Sequence, residues 1–207
     1  QNACRQSVRM LSLLGLPLAV GTTILAPRIV DWLYGAAYAQ SAVYLQILIW
    51  AVALIFWNAT LPAALNATGH ERDSLVVVAA GLAFNIAGNV LLIPRWGALA
   101  AAWMTLFTEI VSTLLYLHFF GRRLFPPQFF FLLARPVVAA AVMAAALAWI
   151  PTGALSAHPG LIVTLLGLLG AALYAGVLLA LGEIRRRDWQ LWRDALGLGR
   201  KAALEPS

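Results

Sequence analysis

Hydrophobic residues run through this chain in six nearly unbroken stretches, Met10–Pro27, Val43–Leu65, Ser74–Ile93, Gly97–Phe120, Leu132–Ile150 and Gly160–Gly182. Polar residues gather in the short gaps between them. The apolar runs are continuous rather than alternating with a period of two, which favours helices over a barrel. At 1.5 Å rise per residue, about 20 residues cover the ~30 Å hydrocarbon core of a bilayer. The pattern predicts an all-α, polytopic transmembrane helix bundle with six spans. Composition sharpens this: 62% of residues are hydrophobic and 11% are charged, which excludes a water-soluble fold.

The net charge of +6 raises nucleic acid as a partner, and its distribution removes it. Arg5, Arg9, Arg72, Arg122, Arg123, Arg135, Arg185, Arg186, Arg187, Arg193, Arg200 and Lys201 fall at one set of span ends; only Arg28 and Arg95 fall at the other. Such a bias orients membrane proteins with the basic ends in the cytoplasm. Both termini and the 66–73 and 121–135 connections are therefore expected inside. The chain starts at Gln1 with no signal-peptide pattern, so a fragment or processed chain is expected. The lone Cys4 offers no internal disulfide, and neither a metal site nor a cofactor is expected.

The connections leave no room for a soluble domain and imply antiparallel neighbours. The loop Gly121–Arg135 mixes prolines, phenylalanines and arginines suited to the headgroup level. From Glu183 onward, Ile184, Trp189, Trp192 and Leu196 recur at near-helical spacing among arginines. This predicts an amphipathic helix on the anionic inner leaflet. In the last span Gly167, Ala171 and Ala175 form a small-residue stripe that favours close helix packing.

Chemistry concentrates in the first four spans. Glu109 is the one acid deep inside a span, and Thr105, Ser112 and Thr113 extend a polar face around it. A carboxyl there costs at least ~2.5 kcal/mol to insert. It serves either as a cation or proton coupling site, or as a structural carboxyl, protonated or bonded to a neighbouring helix. Asn85 and Asn89 share a face of the third span, and Asn58, Pro62 and Asn66 one of the second. Amides in a bilayer glue helices or line a polar cavity. Convergence of Asn58, Asn85 and Asn89 on Glu109 is the expectation of the cavity reading. Pro17 and Pro62 each remove a helical hydrogen bond and are candidate kinks. The run His70-Glu71-Arg72-Asp73 reads as a solvated inner loop. The Asn58 and Asn66 glycosylation sequons are set aside, since they fall within or at the inner end of a span.

The ordered pieces Leu16-Pro17-Leu18, Ile29-Val30-Asp31-Trp32-Leu33-Tyr34-Gly35, Ala64-Leu65-Asn66-Ala67-Thr68-Gly69-His70, Asn85-Ile86-Ala87-Gly88-Asn89 and Leu92-Ile93-Pro94-Arg95-Trp96-Gly97-Ala98 resemble the C-terminal part of the polysaccharide-exporting flippases. These belong to the multidrug/oligosaccharidyl-lipid/polysaccharide exporter superfamily. Ala100 stands where that pattern usually has glycine. The resemblance covers residues 16–124. It implies a flippase-like region at 1–124, two additional helices at 125–182 and an interfacial tail at 183–207. It further implies a bacterial inner-membrane transporter whose N-terminal lobe lies outside this chain. The cargo would be undecaprenyl-pyrophosphate-linked oligosaccharide, such as O-antigen, capsule or exopolysaccharide units, moved by alternating access. Alternatives are a drug/cation antiporter half, a membrane enzyme acting on lipid-linked sugars, with the His70–Asp73 run as its candidate site, and a non-catalytic scaffold.

Overall fold

A computed structural model describes residues 2–66, 69–124, 127–150 and 159–182. The expected amphipathic tail from residue 183 lies outside them, as do the side chains of Cys4, Arg5 and the 121–133 segment. The elements are α1 (Asn2–Tyr34), a 3-10 turn (Ala36–Tyr38), α2 (Ser41–Asn58), α3 (Leu61–Asn66), α4 (Glu71–Leu124), α5 (Pro127–Trp149) and α6 (Pro159–Ala180). No strand occurs among the described residues.

Four helical segments are long and apolar enough to cross a membrane: Gln6–Tyr34, Ser41–Ala63, Glu71–Phe119 and Pro159–Ala180. Ala134–Trp149 in α5 is a shorter apolar helix. The difference from six stretches arises mainly in α4, where the third and fourth run on as one assigned helix. That helix is broken at Gly97, whose backbone (φ 58°, ψ −140°) is not helical. A side chain is strained in that region, so glycine is what lets the chain reverse there. The two arms fold back on each other: Asn85 of the first bonds Thr108 of the second. Two close approaches line the same seam. A Cβ on Gly81 would lie 2.8 Å from Ser112 Oγ, and one on Gly88 would overlap Met104.

The segment Gly121–Arg135, expected to be a loop, is helical on both sides of residues 125–126. Pro127 occupies the first position of α5, where its missing N–H is no loss.

α1 is the hub. It packs against α2 on one side and against α5 and α6 on the other, while α2 carries the α4 hairpin. The α1–α5–α6 contact is a core of Leu25 with Ala139, Ala140, Met143, Leu147, Ile162, Leu166, Tyr174 and Leu178. At one end of the bundle Val8, Leu61, Leu65, Val77 and Tyr116 bring together α1, α3 and both arms of α4. At the other, Ala26, Val30 and Ala42 join α1 to α2, and Trp32 presses on Gly160. Exposed rings of Trp32, Tyr34, Tyr38, Trp96 and Trp149 surround this second end, as rings do at a membrane interface.

The prolines act differently from one another. α1 continues through both Pro17 and Pro27. Pro27 leaves the Thr23 carbonyl without its helical N–H, and the Gln46 side chain of α2 donates to that carbonyl at 2.9 Å. Pro62 was expected to kink the second span from within. Within the apolar segment Ser41–Ala63 the helix is interrupted after Asn58, whose carbonyl Pro62 cannot bond, and Pro62 sits in the first turn of α3. The small-residue stripe also departs from expectation. Gly167, Ala171 and Ala175 are exposed, and α6 buries Ile162, Leu166, Gly170, Tyr174 and Leu178 instead.

Candidate functional site: a buried amide on an intramembrane carboxyl

The break after Asn58 places a 9%-exposed amide at the end of α2. It lies against the half-buried Glu109 in the second arm of α4. Asn58 Nδ2 donates to Glu109 Oε2 at 2.7 Å and to the Glu109 backbone carbonyl at 3.1 Å. Thr113, one turn further on, donates to Asn58 Oδ1 at 3.0 Å and shares its hydroxyl with the Glu109 carbonyl at 2.8 Å. The amide thus uses both ends on a single turn of α4. Hydrogen bonds to a charged group are the stronger ones. This triangle ties α2 to the second arm of the hairpin.

A second polar group lies between the two arms. Asn85 Nδ2 donates to Thr108 Oγ1 at 2.9 Å, and Asn89 Nδ2 donates to Asn85 Oδ1 at 2.9 Å. Thr108 donates in turn to the Met104 carbonyl at 2.7 Å. The Asn89 amide oxygen is buried without a partner among the described residues. Thr108 and Glu109 are consecutive, about 100° apart around the helix. One therefore serves the inter-arm seam and the other the α2 contact.

The expected convergence on Glu109 takes this form. Asn58 reaches Glu109; Asn85 and Asn89 bond to each other and to Thr108, on the adjoining face. Thr105 bonds its own helix, at the Ala101 carbonyl. Ser112 abuts Gly81. Asn66 is exposed near the end of α3, where its carbonyl accepts from Gly69 N–H and the Leu65 carbonyl accepts from His70 N–H. With Gly69 at φ 76°, this is a glycine-closed helix end. A pocket of about 360 Å3 between α1, α2 and the second arm is walled by apolar groups such as Leu16, Trp57 and Ile110 rather than by these amides.

Reading the sequence singled out neither Thr108 nor Gln46. The signal for Thr108 is reflection: residues equidistant from the Pro94–Gly97 reversal face each other, which pairs position 85 with 108 and 81 with 112. The signal for Gln46 is the carbonyl four residues before Pro27, which demands a donor in a bilayer. Tyr116 and Ser74, both buried and hydrogen-bonded through their side chains, add a polar contact between the arms near their free ends.

Comparison with known proteins identifies the lineage. The family model described as "Lipid II flippase MurJ" matches residues 1–172. This chain belongs to the lipid II flippase MurJ family. Membership agrees with a lipid-linked flippase of the same exporter superfamily that the sequence resembles, and with a transporter rather than an enzyme. Among curated proteins, the uncharacterized membrane protein MJ1068 of Methanocaldococcus jannaschii is 28% identical over 108 residues, which cover 52% of this chain and 21% of the relative. The chain therefore spans about a fifth of the length of that relative. No solved structure matches.

Proposed function

We propose that this chain is one helical lobe of a flippase that carries a polyprenyl-pyrophosphate-linked sugar precursor from the inner to the outer leaflet. The family match over residues 1–172 carries this reading. The family's name favours lipid II as cargo over the O-antigen, capsule or exopolysaccharide units that the sequence resemblance implies. The physical problem fits the parts. A sugar headgroup cannot shed water into hydrocarbon without substitute hydrogen bonds. The amides and the carboxyl that could supply them bond one another between helices in this structure, and parting of those helices would free them.

In this reading the chain crosses the bilayer six times, with the two arms of α4 counted separately and both termini in the cytoplasm. The twelve-to-two distribution of basic residues supports that orientation. The region 1–124 forms the working part. The helices at 125–182 brace α1 from the side opposite α2, and the tail from 183 rests on the inner leaflet of a bacterial cytoplasmic membrane. The remaining lobe of the same transporter completes the central cavity, and rocking of one lobe on the other gives alternating access. Glu109 is the coupling group, with Asn58, Asn85 and Asn89 as the polar wall.

The test uses the full-length transporter in cells depleted of their own lipid II flippase. Restored exposure of lipid II at the outer leaflet is expected, together with its loss in Glu109→Gln at unchanged membrane abundance. Accumulation of lipid II inside despite normal expression would reject the cargo. Full export by Glu109→Gln would reject the coupling role.

A further inference from the structure

We propose that the species exchanged at the Asn58–Glu109–Thr113 triangle is a proton, taken up by the Glu109 carboxyl with a turn-over of the Asn58 amide, and not a metal cation. This rests on the reading of Glu109 as the coupling group and narrows what it couples to.

The geometry supports two hydrogen-bonding states with three bonds each. In the first, both hydrogens of the Asn58 NH2 are used on one residue: Oε2 of Glu109 at 2.7 Å and its backbone carbonyl at 3.1 Å. The amide oxygen accepts from Thr113 at 3.0 Å. An ionised carboxylate, which can only accept, takes the Asn58 N–H at Oε2 in this state. In the second, Glu109 carries a proton and becomes a donor. A separation of 2.7 Å is a normal O–H···O length. The amide turned by half a revolution fills the same volume and offers Oδ1 to that proton. Its NH2 then faces Thr113 Oγ1. The threonine can accept there because a second acceptor for its own hydrogen, the Glu109 carbonyl, already lies 2.8 Å away. One proton enters, the Asn58 N–H bond to the Glu109 carbonyl is given up while the Thr113 hydroxyl takes that acceptor, three bonds stand in each state, and the charge of the triangle goes from −1 to zero.

A metal cation is poorly served by the same atoms. Hard cations collect several oxygens and strip their own water for them. Here the nearer carboxylate oxygen is covered by an N–H donor. Among the described residues no basic side chain pairs with Glu109. Towards this region α1 presents Ser12 and Leu16, and α2 presents Trp57. The first arm of α4 lies on the adjoining face, where Gly81 and Asn85 meet Ser112 and Thr108. The titratable groups further along the same arm are Tyr116, two turns on and bonded to Ser74, and His118 beyond it. Among the described residues, Arg9, His70, Glu71, Arg72 and Asp73 belong to the end of the bundle where α1 and α4 begin.

Infrared difference titration of the full-length transporter in lipid tests this. A protonated-carboxyl stretch should rise on acidification, be missing in Glu109→Gln and persist, shifted in frequency, in Glu109→Asp. An Asn side-chain amide band should move with it and vanish in Asn58→Leu. The midpoint should hold when sodium is raised tenfold in exchange for choline. A competing cation would move it by roughly one pH unit per tenfold at saturation. Such a shift, or a titration identical in wild type and Glu109→Gln, overturns the proposal. Lipid II translocation measured in the same membranes separates the two readings. A titrating Glu109 without translocation supports the proton site and rejects the cargo; translocation without titration does the reverse.

Discussion

Gln46 of α2 donates its side-chain N–H to the Thr23 carbonyl of α1, 2.9 Å away. Pro27, four residues further along α1, has deprived that carbonyl of its helical partner. In lipid no water substitutes, so the glutamine supplies the bond that the proline removed. Gln46→Leu should therefore destabilise the protein by about 1–3 kcal/mol, the cost of a buried acceptor left alone. In a Pro27→Ala background, where the helix can bond Thr23 itself, the same change should cost little. A double-mutant cycle on unfolding in detergent would read this as strong non-additivity; additive effects would disprove the pairing.

Gly97 and Gly88 set the hairpin in different ways. Gly97→Ala meets backbone strain and is expected to lose about 1–3 kcal/mol whatever surrounds it. Gly88→Leu meets Met104 instead, an overpacking cost of about 1–3 kcal/mol. Met104→Ala should relieve the second loss and leave the first untouched. Thermal midpoints of the four variants measure both.

The faces of α6 make opposite predictions for similar residues. Gly167→Leu and Ala171→Leu should lie within about 0.5 kcal/mol of wild type, since both positions are exposed. Gly170→Leu should cost about 1–3 kcal/mol, because a Cβ there already comes within 3.1 Å of Leu147 Cδ1. Equal tolerance at all three positions would contradict the packing described.

Single cysteines in a Cys4→Ser background test the crossing count. An impermeant maleimide added outside should label cysteines at Ala36 and Arg95, and should reach one at Arg72 only after the membrane is permeabilised. Labelling of positions 72 and 95 from the same side would mean that the first arm of α4 does not cross.

Much of this was legible in the residues. Long apolar runs fixed the helices and their order, because a bilayer leaves few alternatives for twenty greasy residues. The reversal at Pro94–Gly97 was legible as a short connection between two stretches. Glu109 stood out because a carboxyl is so costly at that depth. Partners across helices were harder. The second span holds Gln46, Asn58 and Asn66, and only rotation and depth decide that the first reaches Thr23, the second Glu109 and the third no helix but its own end. Pro62 marks an interruption of the second span, and the carbonyl it strips, that of Asn58, locates it one turn earlier. The alanine–glycine stripe of α6 misled for a related reason: small size permits close packing but does not say which face a neighbour takes.

The reversal at Gly97 consists of a single residue's torsion, with no slack on either side. Two rods joined so tightly at the tip behave like a clothes-peg. Their joined ends stay together, and any parting must open at the far mouth, where Ser74 meets Tyr116. That mouth lies at the end of the bundle where α1 and α4 begin, so the hairpin's stiffness is graded from its tip to that end.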